Sequence, residues 1–279
     1  MEKMITYFET IPSLHRSLIL IGGIAFFWVL EYGVPLFKFQ YKKFRHAWPN
    51  IFFTLTTVVV NLILAFILLS ISDWTVAREF GILQWASLPL WASVVLGVLL
   101  LDLIGAWFAH FVEHKVKLFW RFHLIHHTDD YVDTTTANRH HPGESVIRFI
   151  FTCLGTFILG APVGVILLYQ SISVVLSQFN HANIKLPKIV DTMLSYVIVS
   201  PDMHKVHHHY VLPYTDSNYG NIFSIWDRLF GTFLKLPNEE IKYGVDTHMD
   251  ITTNTSIKKL LQLPFSKQRA STESPLRAK

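Results

Sequence analysis

The chain has 279 residues, a length that fits one large domain or two small ones. Hydrophobic residues make up 51% of it and charged residues 16%, against about 25% charged residues in soluble domains. This composition excludes a disordered chain and an ordinary soluble globule, and it indicates a membrane protein. The net charge of +4 comes from scattered basic residues, so we expect no nucleic-acid partner. Cys153 is the only cysteine, which excludes an internal disulfide and a thiolate zinc site.

Three apolar stretches are long enough to cross a bilayer, whose hydrocarbon core takes about 20 helical residues. Residues 18–37 contain Glu31 as their only charged residue, residues 51–71 contain none, and residues 88–109 contain only Asp102. We predict one span in each stretch. Glu31 lies near the end of its span, so we expect its carboxylate to reach the aqueous interface.

A fourth apolar stretch, residues 149–184, contains no Asp, Glu, Lys or Arg. As one helix it would be roughly 54 Å long, well beyond a hydrocarbon core of about 30 Å. The Gly-Ala-Pro sequence at 160–162 is typical of a turn. We therefore predict a tight hairpin of two helices, over about 149–160 and 162–180, which brings the number of spans to about five.

The loops that flank the spans predict the orientation of the chain, because cytoplasmic loops are enriched in Lys and Arg. Loop 38–49 carries four basic residues and no acid, whereas loop 72–87 carries one basic residue and two acids. We expect loop 38–49 in the cytoplasm and the N-terminus outside. Segments 113–148 and 185–279 then lie at the cytoplasmic face. No cleavable signal peptide is expected, since the first apolar stretch is too long for one.

Histidine is concentrated in one part of the chain, where 12 of the 15 histidines lie between His110 and His209. Nine of the twelve form one HxxxH pair, two HxxHH groups and a single histidine in an Asn-His-Ala-Asn segment. Residues three or four apart share a helix face, so the imidazoles of each group converge. Neutral imidazole binds iron, zinc, copper and nickel, and nine ligands suit two metal ions with four or five each. The nine predicted metal ligands are His110, His114, His123, His126, His127, His181, His204, His207 and His208.

The other histidines are weaker candidates for metal binding. His209 extends its run, and we do not expect it to be a ligand; the roles of His140 and His141 stay open. We expect ordinary structural or surface roles for His15, His46 and His248. The chain has no His-Glu-x-x-His motif and no Glu-x-x-His in the clustered region, which argues against a zincin protease and a carboxylate-bridged soluble di-iron bundle.

The order and spacing of these residues resemble the fatty acid hydroxylase / sterol desaturase superfamily of integral-membrane di-iron oxygenases. The resemblance covers roughly residues 98–236. The matching segments are Asp102 with Trp107 and His110-x-x-x-His114; Trp120-Arg121-Phe122-His123-x-x-His126-His127; Asp133 with Thr136, Arg139, His141-Pro142 and Glu144; His181-Ala182-Asn183; Pro201-Asp202-Met203-His204-x-x-His207-His208; Asp216-Ser217-Asn218-Tyr219-Gly220; and Trp226-Asp227-Arg228-Leu229-Phe230-Gly231-Thr232. Phe111 is a departure, because many members have Arg at this position. The match is specific to the superfamily and not to a substrate.

The resemblance implies an all-α membrane protein with a cytosolic, histidine-rich cap that holds two non-haem iron ions. With O2 as co-substrate, such proteins oxidise an unactivated C–H bond of a lipid, here a sterol, a fatty acyl chain or a related lipid. Hydroxylation and desaturation stay open. The chain ends are short for a fused electron donor, so we expect a separate one: a cytochrome b5-like protein, a ferredoxin or a reductase.

Two other functions are alternatives to this interpretation. An ether-lipid (alkylglycerol) monooxygenase would use the same site on a different substrate. A non-catalytic membrane metal carrier belongs to another class, but a transporter is expected to place its ligands at the bilayer midplane. The histidine groups here lie at the ends of predicted spans, which disfavours the carrier.

The resulting organisation has three parts: N-terminal spans in residues 1–97, a fatty acid hydroxylase-like di-iron domain in 98–236, and a C-terminal cytosolic tail in 237–279. We expect disorder from residue 264 onward. Residues 189–200 are apolar but too short to span a membrane, so we interpret them as an interfacial helix.

Four polar residues are predicted as outer-shell or additional site residues: Asp102, His141, Glu144 and Asn183. For Asp102, an ionisable group on a span, we hypothesise that it accepts an N–H from a ligand imidazole on a neighbouring helix. A structural hydrogen bond to another span is the equal alternative. Glu144 is expected to pair with Arg139 and to brace the cap.

Overall fold

The structure is a computed structural model that describes residues 1–267. Within this range the chain is helical and contains no β-strand. Five segments are long and apolar enough to cross a membrane: Ser13–Gly33, Lys43–Trp85, Leu90–Lys115, Pro142–Leu159 and Val163–His181. The predicted multi-pass, all-α architecture is confirmed.

The described residues form fourteen α-helices and a few short turns of other helix types. In chain order the α-helices are α1 (Glu2–Glu9), α2 (Ser13–Gly33), α3 (Lys43–Ala77), α4 (Ile82–Trp85), α5 (Leu90–Asp102), α6 (Ala109–Lys115), α7 (Lys117–His127), α8 (Pro142–Leu159), α9 (Val163–His181), α10 (Lys188–Leu194), α11 (Pro201–His207), α12 (Ile225–Leu229), α13 (Ile251–Asn254) and α14 (Ile257–Gln262). The 3₁₀ turns are Thr134–Asn138, Tyr214–Asp216, Asn238–Glu240 and Leu263–Phe265.

Successive crossings run in opposite directions, so the ends of α2, α6 and α9 meet the starts of α3 and α8 on one side. Contacts of Glu31 near the end of α2 show this directly. Its carboxylate pairs with Lys43 at the start of α3 (2.6 Å) and accepts backbone N–H groups from Thr134 and Asn183. We call the helices and loops gathered on this side, α7 and α10–α14 with their connections, the cap. Glu31 is therefore buried in protein and not exposed at an aqueous interface as expected, because two backbone N–H groups and a lysine bind its carboxylate.

The predicted hairpin is confirmed as α8 and α9. Its turn is held by polar contacts from other crossings: Ser72 Oγ donates to the carbonyl of Ala161 (2.8 Å) and Gln84 Nε2 to that of Gly160 (2.7 Å). Gly160 ends α8 with φ +62°, a left-handed conformation that favours glycine. This turn lies on the side opposite the cap.

One helix is irregular in a way that the hydropathy pattern does not reveal. Between α5 and α6, residues Leu103–Phe108 form a π-helical segment. Short π-helical insertions are rare and often occur at functional sites, because an extra residue per turn changes the direction of the side chains that follow. The segment directly precedes His110, so it sets the direction of the first pair of predicted ligands.

Side chains on α3 indicate contact with lipid. Leu62, Ile63 and Phe66 are each more than 70% exposed, and such a patch would be unfavourable in water. On the inner side, the largest buried apolar cluster fills the space between the crossings, with members such as Leu68, Val98, Leu101, Phe149 and Val165. The membrane part is thus apolar inside and outside, as expected for helices in a bilayer.

The first residues of the predicted disordered tail are ordered in the structure. Disorder was expected from residue 264, but Leu263–Phe265 forms a 3₁₀ turn, with Leu263 and Pro264 buried. Residues 268–279 lie outside the described residues. The predicted interfacial segment contains α10, where Ile189 and Met193 are exposed; its location at the interface stays a prediction.

The hairpin turn provides a test of the fold. We predict that Gly160→Ala lowers the thermal stability of the purified protein in detergent. A left-handed backbone costs a non-glycine residue about 1–3 kcal/mol, and an added Cβ would collide with the carbonyl oxygen of Phe80. Gly22→Ala in α2 is the control, because a Cβ there meets no atom within 4 Å. Equal melting temperatures for the two variants would contradict the described turn.

Candidate metal centre

All nine predicted ligands are buried in the described structure and lie together at the cap end of the crossings. They divide into two groups in which the ring nitrogens lie within 4.8 Å of one another. The five-histidine group consists of His110, His114, His123, His127 and His207. The four-histidine group consists of His126, His181, His204 and His208. Their joint role as metal ligands stays a prediction, but the proximity on which it depends is present.

The two HxxHH groups explain why the histidine groups are neighbours. Helix α7 directs His123 and His127 into the five-histidine group and His126 into the four-histidine group. The second HxxHH segment, at the end of α11, shows the opposite division. His204 and His208 join the four-histidine group, and His207 joins the five-histidine group. Each HxxHH segment therefore contributes to both groups, and the rings of adjacent members such as His126 and His127 lie 5.4 Å apart.

The Nε2 atoms point toward the centre of each group. His181 Nε2 lies 3.0 Å from His204 Nε2, 3.1 Å from His126 Nε2 and 3.3 Å from His208 Nε2. One ring nitrogen can share one proton, so hydrogen bonding accounts for one of these three contacts at most. Four nitrogens at about 2.1 Å from a tetrahedral metal ion would be about 3.4 Å apart. The spacing therefore fits a metal ion better than a network of protons.

The same pattern occurs in the five-histidine group. His123 Nε2 lies 3.1 Å from both His110 Nε2 and His127 Nε2. Burial lowers the pKa of the imidazoles that lie outside the membrane-spanning segments, and repulsion from neighbouring histidines adds to this effect. These residues are His123, His126, His127, His204, His207 and His208. They are therefore neutral at pH 7, which is the form that binds metal.

Four imidazoles of the five-histidine group are fixed from outside by hydrogen bonds through Nδ1. The pairs are His110 with the Tyr219 carbonyl (2.8 Å), His114 with Asp216 Oδ1 (3.1 Å), His123 with Glu144 Oε1 (2.7 Å) and His207 with the Ser217 carbonyl (2.6 Å). Each oxygen accepts, so the proton is on Nδ1 and the Nε2 lone pair faces the centre.

Glu144 occupies the outer position predicted for it, although its partners differ from those expected. Besides His123, its Oε1 accepts from His140 Nδ1 (2.6 Å) and Arg148 Nε (3.1 Å). The expected pair with Arg139 is wrong. Arg139 instead donates to the carbonyl of Ile125 and to the Asn50 side chain, because it faces the start of α3.

His140 and His141, whose roles the sequence left open, make different contacts in the structure. The ring nitrogens of His140 contact Glu144 Oε1 and the Ala137 carbonyl, so it lies beside the centre without directing a lone pair into it. His141 caps α8, where its Nδ1 accepts from the Gly143 N–H (2.9 Å), and its Nε2 faces the Leu261 carbonyl. The additional site role predicted for His141 is therefore not supported by its contacts.

Asp102 does not contact a histidine, and our hypothesis for it is wrong in that respect. Its carboxylate accepts the backbone N–H groups of Ile222 (3.2 Å) and Phe223 (3.1 Å) and the indole N–H of Trp226 (3.1 Å). Both carboxylate oxygens therefore accept hydrogen bonds from α12 and the loop before it. Asp102 thus makes the structural bond that was the alternative, but to the cap and not to another span.

Asn183 also binds backbone instead of a ligand. Its side chain accepts the Phe37 N–H (2.9 Å) and donates to the Phe37 carbonyl (2.8 Å), which joins the segment after α9 to the loop before α3. The histidines set aside in the sequence lie outside both groups. Among them, His46 contacts Asp129 at 2.6 Å in a buried polar network.

The sequence did not reveal two residues that position predicted ligands. Asp216 was quoted within a motif, but its contact with His114 joins residues 102 positions apart. Lys205 lies between two ligands, and its buried ammonium donates to the carbonyls of Asn180 (3.3 Å), His181 (2.6 Å) and Ala182 (2.8 Å). Burial lowers the pKa of Lys205 to about 8, so it is largely protonated at pH 7. A lysine flanked by histidines gives no sequence signal for this role.

Comparisons with known proteins cover the part of the chain that contains the two histidine groups. The fatty acid hydroxylase family model matches residues 94–232, which contain both histidine groups. The chain is 29% identical to ornithine lipid hydroxylase OlsE of Rhizobium tropici over 187 residues, 66% of this chain and 53% of the relative. It is 30% identical to the alkylglycerol monooxygenase of Homo sapiens over 178 residues, 63% of this chain and 37% of the relative.

A third relative, methylsterol monooxygenase 2-2 of Arabidopsis thaliana, is 24% identical over 225 residues, 78% of this chain and 82% of the relative. The chain thus spans about half the length of the first of these relatives and less than half of the second. No solved structure matches the chain significantly.

Lys205 provides a test of how the site is held. We predict that Lys205→Met lowers the free energy of unfolding by about 2 kcal/mol or more, because it leaves three carbonyls at the end of α9 without their donor. Lys188→Met, at the exposed start of α10, is the control and should be close to wild type. Thermal unfolding in the same detergent measures both. Equal losses in the two variants would show that Lys205 does not support the end of α9.

Proposed function

The chain belongs to the fatty acid hydroxylase / sterol desaturase superfamily, and from that premise we propose that it is an O2-dependent membrane oxidoreductase that hydroxylates or desaturates a lipid C–H bond. The observation that carries the proposal is the pair of buried histidine groups at the cap end of five membrane-crossing segments. The names of the relatives support a lipid substrate, since they describe proteins that act on ornithine lipids, alkylglycerols and methylsterols.

Two non-haem iron ions are the proposed occupants, one in each histidine group. Zinc fits the same imidazole ligands but has no redox chemistry, and oxidation of a C–H bond by O2 requires a metal that changes oxidation state. Iron bound here would supply the activation of O2 and the removal of the hydrogen atom. The residues of the chain contribute neutral ligands, fixed ring orientations and a site closed to bulk water, since all nine rings are buried.

The outer residues have separate tasks in this proposal. Asp216 and Glu144 hold the protons of His114 and His123 on Nδ1, which keeps the Nε2 lone pairs available. Lys205 fixes the backbone that carries His181. Electrons come from a separate protein, for which a cytochrome b5-like protein, a ferredoxin or a reductase are the candidates.

A second enzyme function has a specific observation in its favour. The chain is similar to alkylglycerol monooxygenases over the segment that holds the histidines, including the Homo sapiens protein at 30% identity. Hydroxylation next to an ether oxygen would use the same two groups, so the substrate alone distinguishes the two enzyme functions. The metal carrier is less well supported, because both groups lie at helix ends beside the cap and not at the midplane of the crossings.

Isotopic oxygen tests the proposed function. We predict that purified protein loaded with Fe²⁺ and supplied with a chemical reductant transfers ¹⁸O from ¹⁸O2 to a lipid, or desaturates the lipid with ¹⁸O2 consumed. Ornithine lipid, an alkylglycerol and a methylsterol are offered in parallel, and mass spectrometry identifies the product. A labelled fatty aldehyde from the alkylglycerol would select the ether-lipid alternative. Metal binding without oxygen uptake on any lipid would favour the carrier.

Metal content tests the ligand assignment in the same preparations. His126→Ala and His207→Ala are expected to bind less iron than wild type and to abolish lipid oxidation, because each removes a ligand from one group. His15→Ala and His209→Ala are the controls, since neither residue belongs to a group. Elemental analysis gives the iron per chain. Equal iron in all four variants would contradict the assignment.

Topology tests the proposed cytoplasmic location of the cap. In a Cys153→Ala background, cysteines at Lys117 and Glu240 are expected to react with an impermeant thiol reagent only from the cytoplasmic side. A cysteine at Arg78, in the exposed connection on the opposite side, is expected to react only from outside. Labelling of both cap positions from outside would invert the orientation and separate the site from cytoplasmic reductant.

A further inference from the structure

We propose that the two histidine groups bind metal with unequal affinity, so that the five-histidine group takes the first ion and keeps it while the four-histidine group holds an exchangeable one. This inference rests on the proposed function, in which both groups hold metal. It concerns the order and strength of loading, which follow from what surrounds each group and not from its ligand count alone.

The first observation is the difference in hydrogen bonding through Nδ1. In the five-histidine group, four rings donate to fixed oxygens, and two of these oxygens belong to the carboxylates of Asp216 and Glu144. In the four-histidine group, only His181 does so, to the carbonyl of Ser177 one turn earlier in its own helix (2.7 Å). The Nδ1 atoms of the other three members are buried and have no hydrogen-bond partner among the described residues: His126, His204 and His208.

An Nδ1 hydrogen bond has two effects on metal binding. It fixes the tautomer and the ring direction before the metal arrives, and a carboxylate acceptor also makes the ligand nitrogen more basic. A ring without such a partner can carry its proton on Nε2, which must move before the nitrogen can bind. Loss of one partner typically lowers metal affinity about 10–100-fold. Because the groups differ by three partners, we expect their affinities to differ at least about 100-fold.

The second observation is the charge around each group. Close to His123 lie Glu144, at 2.7 Å from Nδ1, and Glu113, at 3.7 Å, with Arg148 paired to both carboxylates. Asp216 at His114 is paired with the largely exposed Lys115. Two carboxylates, those of Glu144 and Asp216, thus touch imidazoles of this group directly, and their negative charge favours a divalent cation.

The four-histidine group has the opposite neighbour. The ammonium of Lys205 lies 2.6 Å from the carbonyl oxygen of His181 and is fully buried. The ammonium binds the backbone at the end of α9, and its positive charge disfavours a metal cation in the four-histidine group. Charge and hydrogen bonding therefore favour the same order of loading.

The experiment titrates metal-free, full-length protein with Zn²⁺ in the presence of graded chelators, and mass spectrometry counts the ions bound. Zn²⁺ avoids oxidation during the measurement and accepts the same imidazole ligands. The expected curve has two steps, separated at least about 100-fold in affinity. His208→Ala should remove the weak step and retain the tight one, whereas His207→Ala should weaken the tight step.

Two conservative variants test whether the carboxylates that bind Nδ1 cause the difference in metal affinity. Asp216→Asn and Glu144→Gln are each expected to weaken the tight step by about 10–100-fold and to leave the weak step unchanged. Asp73→Asn, an exposed carboxylate on the side opposite the cap, is the control and should leave both steps unchanged. Thermal unfolding of each variant shows that it is folded.

The outcomes separate this inference from the proposed function. Two ions of equal affinity, or loss of the tight step in His208→Ala, would overturn the inference and leave the proposed function intact. An unchanged tight step in both carboxylate variants would also overturn the inference, since the carboxylates would then not be the cause of the tighter binding. Failure to bind any metal would overturn the proposed function itself.

Discussion

The structure depends on the burial of nine imidazoles, among which neighbouring Nε2 atoms lie about 3 Å apart at the end of a membrane bundle. Uncharged rings with converging lone pairs repel one another, and buried polar atoms without partners are costly. A cation bound in each group, as proposed, would remove both penalties, and the surrounding residues would hold the rings in place for it. The outer oxygens on Nδ1 do this for one group far more completely than for the other.

Several buried ionisable residues of this protein hydrogen-bond to backbone groups of distant segments. Glu31 accepts two backbone N–H groups, Asp102 accepts two, and Lys205 donates to three carbonyls. Each joins a crossing to a cap segment. Asp227 acts in the same way on the N–H groups of Tyr219 and Gly220, beside the carbonyl that receives His110 Nδ1. Removing such a group leaves several buried backbone atoms unpaired, which explains why costly ionisable residues remain in the interior.

The sequence predicted what local periodicity determines, namely five crossings and the hairpin at Gly160. It predicted that the imidazoles of each HxxHH segment converge, whereas the structure divides each segment between the two groups. It did not predict contacts between residues distant in the chain. The His114–Asp216 pair spans 102 positions, and the three bonds of Asp102 span about 120. The lone carboxylate of Asp102 was correctly identified as unusual, but its partner depends on how the cap folds back. The π-helical segment before His110 could not be predicted from the sequence either, because one extra residue in a helical turn does not change the hydropathy pattern.

The C-terminal ends of helices provide partial negative charge beside the two histidine groups, which contain no carboxylate. Soluble di-iron bundles use carboxylate ligands to offset the metal charge, whereas both groups here consist of histidines alone. Yet the last turns of α6, α7, α9 and α11 all carry predicted ligands. A helix C-terminus is equivalent to about half a negative charge, and the effect is limited to the last turn. Four such ends directed at one site favour cations there. The alternation of crossings that places α6 and α9 with their C-termini at the cap is therefore part of the electrostatics of the centre, together with Asp216 and Glu144.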